Sequence, residues 1–524
     1  MPALNLDTVD DPLLFERQES FAGGEDDYRR STLIDPDQCQ KLVNIIVRDN
    51  YEAWTRPGAD GFAPAIAGSP VRSLAYFDTP AGKRVLAVCN GALSVCGGQN
   101  LAWSASGYTT AFTDVLVEMA QGVDSMLISD GTGALATLDS SLALTTCTTG
   151  ASDPPVGATI LCWHTGRMFA AGFSGARDTI WVSTLLAFGN GCWNGTDRSF
   201  RIGSGDGDPL TALHPVQGST LAVFKANSVW LVNTDPTAEP SGANGFQAAT
   251  LAQSLGYGVG CVGKRAVAAV ANDLFFMAPD GVRSVQRMEA AALQWQLSAP
   301  ISQPVQQYIN RINWAFAKNI AATSYKEFVM FAIPLDSSQV NNAVLVYNTR
   351  LAKWLGCWTG WTPACFAKSR FGAVEQLLFG DSTGVVNFWK DAADTNNPAT
   401  YLDNLRNIPT TIWTRSYQFA ELVNSKTGYN LILRFTAGNT TAIVTAMLDL
   451  AEARQMSQGL APAGDVLGVG RLPFTLASVK PVKLAKSLRS LPAFNEMFLR
   501  IETTNGWFKL RNITVSAFPN ALEG

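Results

Sequence analysis

The stretch GYGVGCVGKR, residues 256–265, holds the residue types in this chain best suited to chemistry. Gly258, Gly260 and Gly263 match a dinucleotide-binding G-x-G-x-x-G. Gly258, Gly263 and Lys264 match all but the last residue of a phosphate-binding loop. Both motifs hold phosphate oxygens on backbone N–H groups at the start of a helix, and in the second the lysine adds its charge. A phosphate loop also needs Ser or Thr after the lysine to hold magnesium, and here Arg265 follows. The next residues reach Asn272-Asp273 within one short run, and residues 274–277 then read as a buried strand, not a helix. No clear strand precedes the glycines in FQAATLAQSL. Asp280, near the position of a ribose-binding acid, sits in a hairpin turn. No nucleotide site is therefore expected, and the glycines read as places where two backbones approach closely.

The remaining candidates resolve the same way. Asp206 and Asp208 in GSGDGDPLTAL suggest calcium, but no run of further oxygen ligands and no terminal bidentate acid follows, so a polar turn is expected. Only two histidines occur, His164 and His214, and neither is flanked by a metal or triad motif. Nine cysteines show no C-x-x-C, and Cys162, Cys261 and Cys357 have no cationic neighbours in sequence to stabilise a thiolate. They read as reduced structural thiols from a cytosol. SDGTGALAT lacks the tryptophan of a sialidase-type Asp-box. No catalytic, cofactor-binding or metal-binding residue is assigned, no cofactor is expected, and the chain is read as a non-enzyme.

The elements that would position such groups are almost all strands. Short apolar runs alternate with Gly, Asn, Asp, Ser and Pro, the pattern of an all-β chain. Helices are expected only at DPDQCQKLVN (35–44), in parts of 285–313 and at LDLAEARQMS (448–457). SMLISDGTGALATLD, DLFFMAPDGVRSV and QLLFGDSTGVVNFW each read as strand, Asp/Gly turn, strand, with weaker relatives around Asn90, Asn227 and Asn348. These hairpins recur roughly every 40–60 residues, the period of a propeller blade. Trp230, Trp354, Trp358 and Trp389 suit packing between blades. The alternative is unrelated hairpins in one or two sandwiches. The expected fold is therefore all-β: a β-propeller of about six blades at 62–395, an extended N-terminal arm at 1–61 and a β-sandwich-like domain at 396–524. The polar stretch DAADTNNPATYLDNLRNIPTT marks the second boundary, and Thr504-Asn505-Gly506 is expected to turn a terminal hairpin.

Composition limits the partners. The chain has 524 residues, 47% hydrophobic and 16% charged, with a formal net charge of -4. No Lys/Arg run gives a basic stripe for gripping a duplex. MPALNLDTVDDP lacks the basic and apolar regions of a secretion signal, and no apolar run approaches the roughly 18 residues of a membrane span.

SFAGGEDDYRRSTLIDPDQCQKLVNIIVRDNYEAWTRPG resembles the N-terminal arm of structural tail proteins of short-tailed bacteriophages. DTIWVSTLLAFGNGCWN, GDGDPLTALHPVQGSTLAVFKANSVWLV, GCVGKRAVAAVANDLFFMAPDGVRSV and SAPISQPV continue the resemblance over about residues 20–390. It implies a tail nozzle or hub: a propeller-bearing homohexameric ring around the DNA ejection channel. The partners implied are other copies, tail adaptor or portal-side proteins and tail fibres, with DNA passing through without specific binding. The location implied is the virion, after synthesis in the host cytoplasm. The resemblance carries no catalytic residues. Two rivals stand beside it. One is a propeller glycosidase-like tail enzyme acting on host polysaccharide, which needs two or three clustered carboxylates. The other is a monomeric propeller serving as a protein-binding platform.

Overall fold

A computed structural model describes residues 13–48, 51–66, 70–105, 112, 116–147, 153, 156–193, 198–235, 253–292, 298–391, 397–419, 424–438, 440–449, 451–460 and 481–520. The acidic N-terminal stretch and the 395/396 boundary lie outside them. The chain divides into two units: residues 1–58, 350–359 and 390–524 form one, and residues 59–349 and 360–389 form the other.

Among the described residues the second unit holds six sheets and one further group of three strands, in chain order. The first begins with Val71–Thr79, the second with Glu118–Gly122, the third with Ile160–His164 and the fourth with Leu210–Pro215. These four are four-stranded antiparallel meanders. The fifth has only three strands, Val267–Val270, Asp273–Ala278 and Gly281–Ser284. Ala321–Tyr325, Phe328–Ile333 and Ala343–Asn348 follow. The last sheet, Cys365–Ser369, Gln376–Gly380 and Val386–Trp389, takes its fourth strand, Ala59–Gly61, from the start of the unit.

The hairpin turns have a local cause. Asp130 Oδ1 accepts the N–H groups of Thr132 and Gly133, both at 2.9 Å, and Asp381 Oδ1 accepts those of Thr383 and Val385 at 2.8 and 2.9 Å. A carboxylate that satisfies the turn amides reverses the chain without burying bare N–H groups. Apolar residues fill the layers between successive sheets. Phe77, Leu86 and Val88 of the first pack with Met126, Ile128 and Leu138 of the second, and Phe169 and Ile180 of the third pack with Leu221 and Val232 of the fourth.

The expected β-propeller of about six blades is corrected by this arrangement. The strands lie in many small separate antiparallel sheets, none closed or strongly curled, and the sheets differ in how they are completed. The Asp/Gly hairpin recurs in the sequence because each sheet needs a tight reversal. A local turn signal carries no information about how sheets stand to one another.

The first unit corrects the arm as well. In place of an extended arm, the N-terminal segment is built into two sheets. Leu14–Gln18 pairs antiparallel with Trp507–Pro519, with Leu14 opposite Ala517. Glu52–Thr55 joins the same sheet, beside Lys426–Gly438 and Pro481–Ser487. Gln38–Val43 pairs antiparallel with Thr410–Thr414 and parallel with Lys353–Thr359. In place of the helix expected over 35–44 stands the strand Gln38–Val43, and in place of the one expected over 448–457 the strands Thr440–Leu448 and Ala451–Leu460 cover most of the described residues. Of the expected helices, only the 285–313 region holds α-helix, at Val285–Ala292 and Gln306–Asn310. Thr504-Asn505-Gly506 makes no hairpin: Met497–Thr503 and Trp507–Pro519 belong to different sheets. Among the described residues no helix is long and apolar enough to cross a membrane.

Candidate functional site

The glycine-rich stretch ends in a polar cluster of the second unit. Gly260 lies against residues 225–226 so closely that a Cβ there would sit 2.1 Å from the Lys225 carbonyl oxygen. Gly258 holds a left-handed φ of +84°. Both demands suit glycine, and neither involves a phosphate. Lys264 and Arg265 then enter a cavity of about 220 Å³ lined by the opening strands of several sheets, through Ser73, Glu118, Val267, Ala322 and Cys365.

Lys264 Nζ donates to Leu116 O at 2.8 Å and to Thr159 O at 2.9 Å, and pairs with the Glu118 carboxylate, 3.2 Å from its Oε2. Arg265 Nη1 donates to Arg72 O at 2.7 Å, Nη2 donates to Val117 O, and Nε lies 3.8 Å from Glu118 Oε2. The Arg265 carbonyl accepts from Ala322 N at 2.7 Å. Burial lowers the Lys264 pKa from its ordinary value, and the nearby Glu118 carboxylate opposes that shift. Two cations that satisfy carbonyls at the start of three sheets and share one carboxylate act as a staple. They hold the sheets in register, and their donors already face protein acceptors.

The loop at 203–213 is likewise committed. Lys225, with no exposed side-chain surface, donates to Asp206 Oδ1 and Oδ2 at 2.7 and 2.6 Å and to Ile202 O at 3.1 Å. Asp208 accepts the Asn227 N–H at 3.0 Å and the Ser228 hydroxyl at 2.9 Å, fixing the turn between two strands of the fourth sheet. Among the described residues no group of three or more His, Cys, Asp or Glu is placed to hold a metal ion.

His164 is buried, and burial lowers its pKa below 6.5. His214 is shifted the same way, chiefly by burial, and its Nδ1 donates to Pro215 O at 2.8 Å. Above 6.5 both imidazoles are neutral in either state. Below it the unfolded chain binds protons first, so stability is present above 6.5 and is lost as pH falls through the lowered folded values. Urea unfolding at about pH 7.5 and about pH 5.5 should show this loss, and a His164→Asn/His214→Asn variant should show a smaller pH difference. An undiminished difference in that variant assigns the effect to other groups. All nine cysteines are free thiols and eight are buried. Burial raises the pKa of Cys39, Cys162 and Cys261 to about 12, far from thiolate reactivity.

The first unit contains a cluster that motif reading did not single out. Arg56 is fully buried and donates through Nε to Asn44 Oδ1 at 2.9 Å and through Nη1 to Pro57 O at 3.2 Å. Its Nη1 and Nη2 also form a fork onto Asp403 at 3.0 and 2.6 Å, and Nη2 reaches Thr359 O at 2.7 Å. Asn44 has φ +57°, and its Nδ2 donates to Thr359 Oγ1 and Pro409 O at 2.9 and 2.7 Å. Gly58 is pressed so close to Leu402 that a Cβ would lie 1.9 Å from its carbonyl oxygen. The signal in the sequence is the Arg-Pro-Gly turn, and its partners Thr359, Leu402 and Asp403 lie hundreds of residues away.

Those partners anchor a small hairpin, Leu402–Asp403 with Arg406–Asn407. Its two turn residues, Asn404 and Leu405, have φ +46° and +68°. The second position of such a turn normally holds glycine. Here it holds a leucine that is 87% exposed.

Neither protein-family models nor curated proteins match this chain. Among solved structures, the computationally designed protein Ika8 aligns with TM-score 0.37 at 12% identity, over 63% of this chain and 99% of its own. The AfRom2 CNH domain aligns with TM-score 0.36 at 12% identity, over 63% and 98%. PorZ, an essential surface component of the type-IX secretion system of Porphyromonas gingivalis, aligns with TM-score 0.33 at 13% identity, over 67% of this chain and 42% of its own. Similarity this slight carries no argument about function. No ring-forming geometry is evident among the described residues, so a nozzle around a DNA channel lacks a structural basis. The resemblance to propeller-bearing tail nozzle proteins is corrected with it, because the multi-sheet architecture does not fit that family.

Proposed function

We propose that this chain is a non-catalytic structural subunit that assembles with further copies of itself. The observation that carries the reading is Leu405. A leucine in the left-handed region costs roughly 1–2 kcal/mol relative to a relaxed backbone, and an exposed isobutyl group returns none of that cost to the fold. The Arg56–Asp403 fork beneath it keeps the hairpin base fixed, so the leucine is held out as a rigid apolar knob. Arg406, also exposed, stands beside it. A second copy suits Arg406, since a chain of net charge -4 carries more acidic than basic side chains. Buried cations that point at backbone carbonyls support the non-catalytic part of the reading.

The test is sedimentation of the purified chain over a concentration series beside Leu405→Gly. Glycine relieves the turn, so the variant should be as stable as the parent or more stable by about 0.5–1 kcal/mol. The parent should sediment as an oligomer of the 56.1 kDa chain and the variant as a monomer. A parent that stays monomeric at every concentration, or a variant that assembles like the parent, overturns the proposal.

A further inference from the structure

A second cavity, of about 560 Å³, opens in the second unit between the segment before the third strand of the third sheet and the 203–208 loop. Its walls include Arg177, Asp178, Arg201, Gly205, Gly207 and Asp208. The acids in this wall are already occupied. Asp178 Oδ2 accepts Arg201 Nε at 3.0 Å and Nη2 at 2.5 Å, while Oδ1 accepts the Thr179 hydroxyl at 3.3 Å. Asp208 Oδ1 accepts Asn227 N and Nδ2 at 3.0 and 3.1 Å, and its Oδ2 accepts the Ser228 hydroxyl at 2.9 Å. Asp206, behind the wall, is neutralised by Lys225.

The donors are not occupied. The Arg177 guanidinium makes no hydrogen bond or ion pair among the described residues, and neither do the amides of Gly205 and Gly207. Both glycines have left-handed φ, +86° and +70°, on either side of Asp206. Successive amides around such a kink form a concavity suited to an anion. The geometry points to a binding site for an oxyanion, with the Arg177 guanidinium as its principal ligand and the Gly205 and Gly207 amides as supporting donors. The fork of arginine fits carboxylate, sulfate and phosphate alike, and the cavity has room for the small molecule that bears one. The Arg201–Asp178 pair forms a neutral side of the site. Both oxygens of Asp208 are engaged by amide and hydroxyl donors, so its charge sets a limit on affinity without closing the site.

The experiment is calorimetric titration of the full chain with inorganic phosphate, sulfate and glucuronate, each against chloride at equal ionic strength. At least one should bind saturably, and the ranking among the three identifies whether the natural group is phosphate, sulfate or carboxylate. Arg177 is exposed, so Arg177→Ala should fold normally by circular dichroism and should bind the preferred probe about tenfold more weakly or worse. Arg177→Lys, which keeps charge but loses the fork, should fall between them. Heats indistinguishable from the chloride control for all three probes, or equal affinity in Arg177→Ala, overturn the site.

Discussion

Replacing Arg56 with methionine should lower the unfolding free energy of the first unit by about 3–5 kcal/mol, the range for breaking a buried ion pair by removing one partner. The guanidinium is fully buried and serves Asn44, Pro57, Thr359 and Asp403 at once. Methionine fills much of the volume but leaves the Asp403 carboxylate, 15% exposed, facing a site without its cation. Urea titration followed by tryptophan fluorescence gives the difference directly, since Trp358 lies under the guanidinium at 5.7 Å. Adding Asp403→Asn should restore part of the loss, because an uncharged amide is cheaper to leave without its cation. If Arg56→Met changes stability by less than about 0.5 kcal/mol, the size of an ordinary surface effect, the fork does not hold the hairpin.

Lys264→Met should have a comparable effect in the second unit, about 3–5 kcal/mol. The ammonium satisfies two carbonyls and one carboxylate that belong to the second and third sheets. Without it, Leu116 O and Thr159 O lose their donor, and Glu118 keeps only Arg265, 3.8 Å from its Oε2. The loss should appear as a lower urea midpoint with an unchanged slope, and Lys264→Met/Glu118→Gln should be more stable than the single variant. A double variant no better than the single one removes Glu118 from the staple.

These two clusters also mark what could be read from the amino acids. Asp130, Asp280 and Asp381 announced reversals correctly because the turn is made by the residue itself and its next few neighbours. DPDQCQKLVN, residues 35–44, carries a helical pattern, yet Gln38–Val43 within it is a strand. It is a strand because Thr410–Thr414 and Lys353–Thr359 offer it ladder partners on both sides, and no local pattern reveals them. Lys264 reads as a fragment of a phosphate loop and Arg265 as the residue that breaks it. Their real acceptors, the carbonyls of Arg72, Leu116, Val117 and Thr159, carry no side-chain signature at all. Arg177 has no motif around it in the sequence. Hairpin period reports the unit of repetition and not how the sheets are placed.

The pairing of Leu14 with Ala517 sets a timetable for synthesis. A ribosome delivers residues 513–517, the partner of Leu14–Gln18, long after that strand itself, and the strand Ala59–Gly61 likewise waits for Val386–Trp389. The first unit draws on three segments separated in sequence. Until those partners are made, the early strands present open edges of the kind that recruit wrong neighbours. Folding of that unit is therefore tied to synthesis of residues 513–517: a chain halted before them leaves Leu14–Gln18 without its ladder.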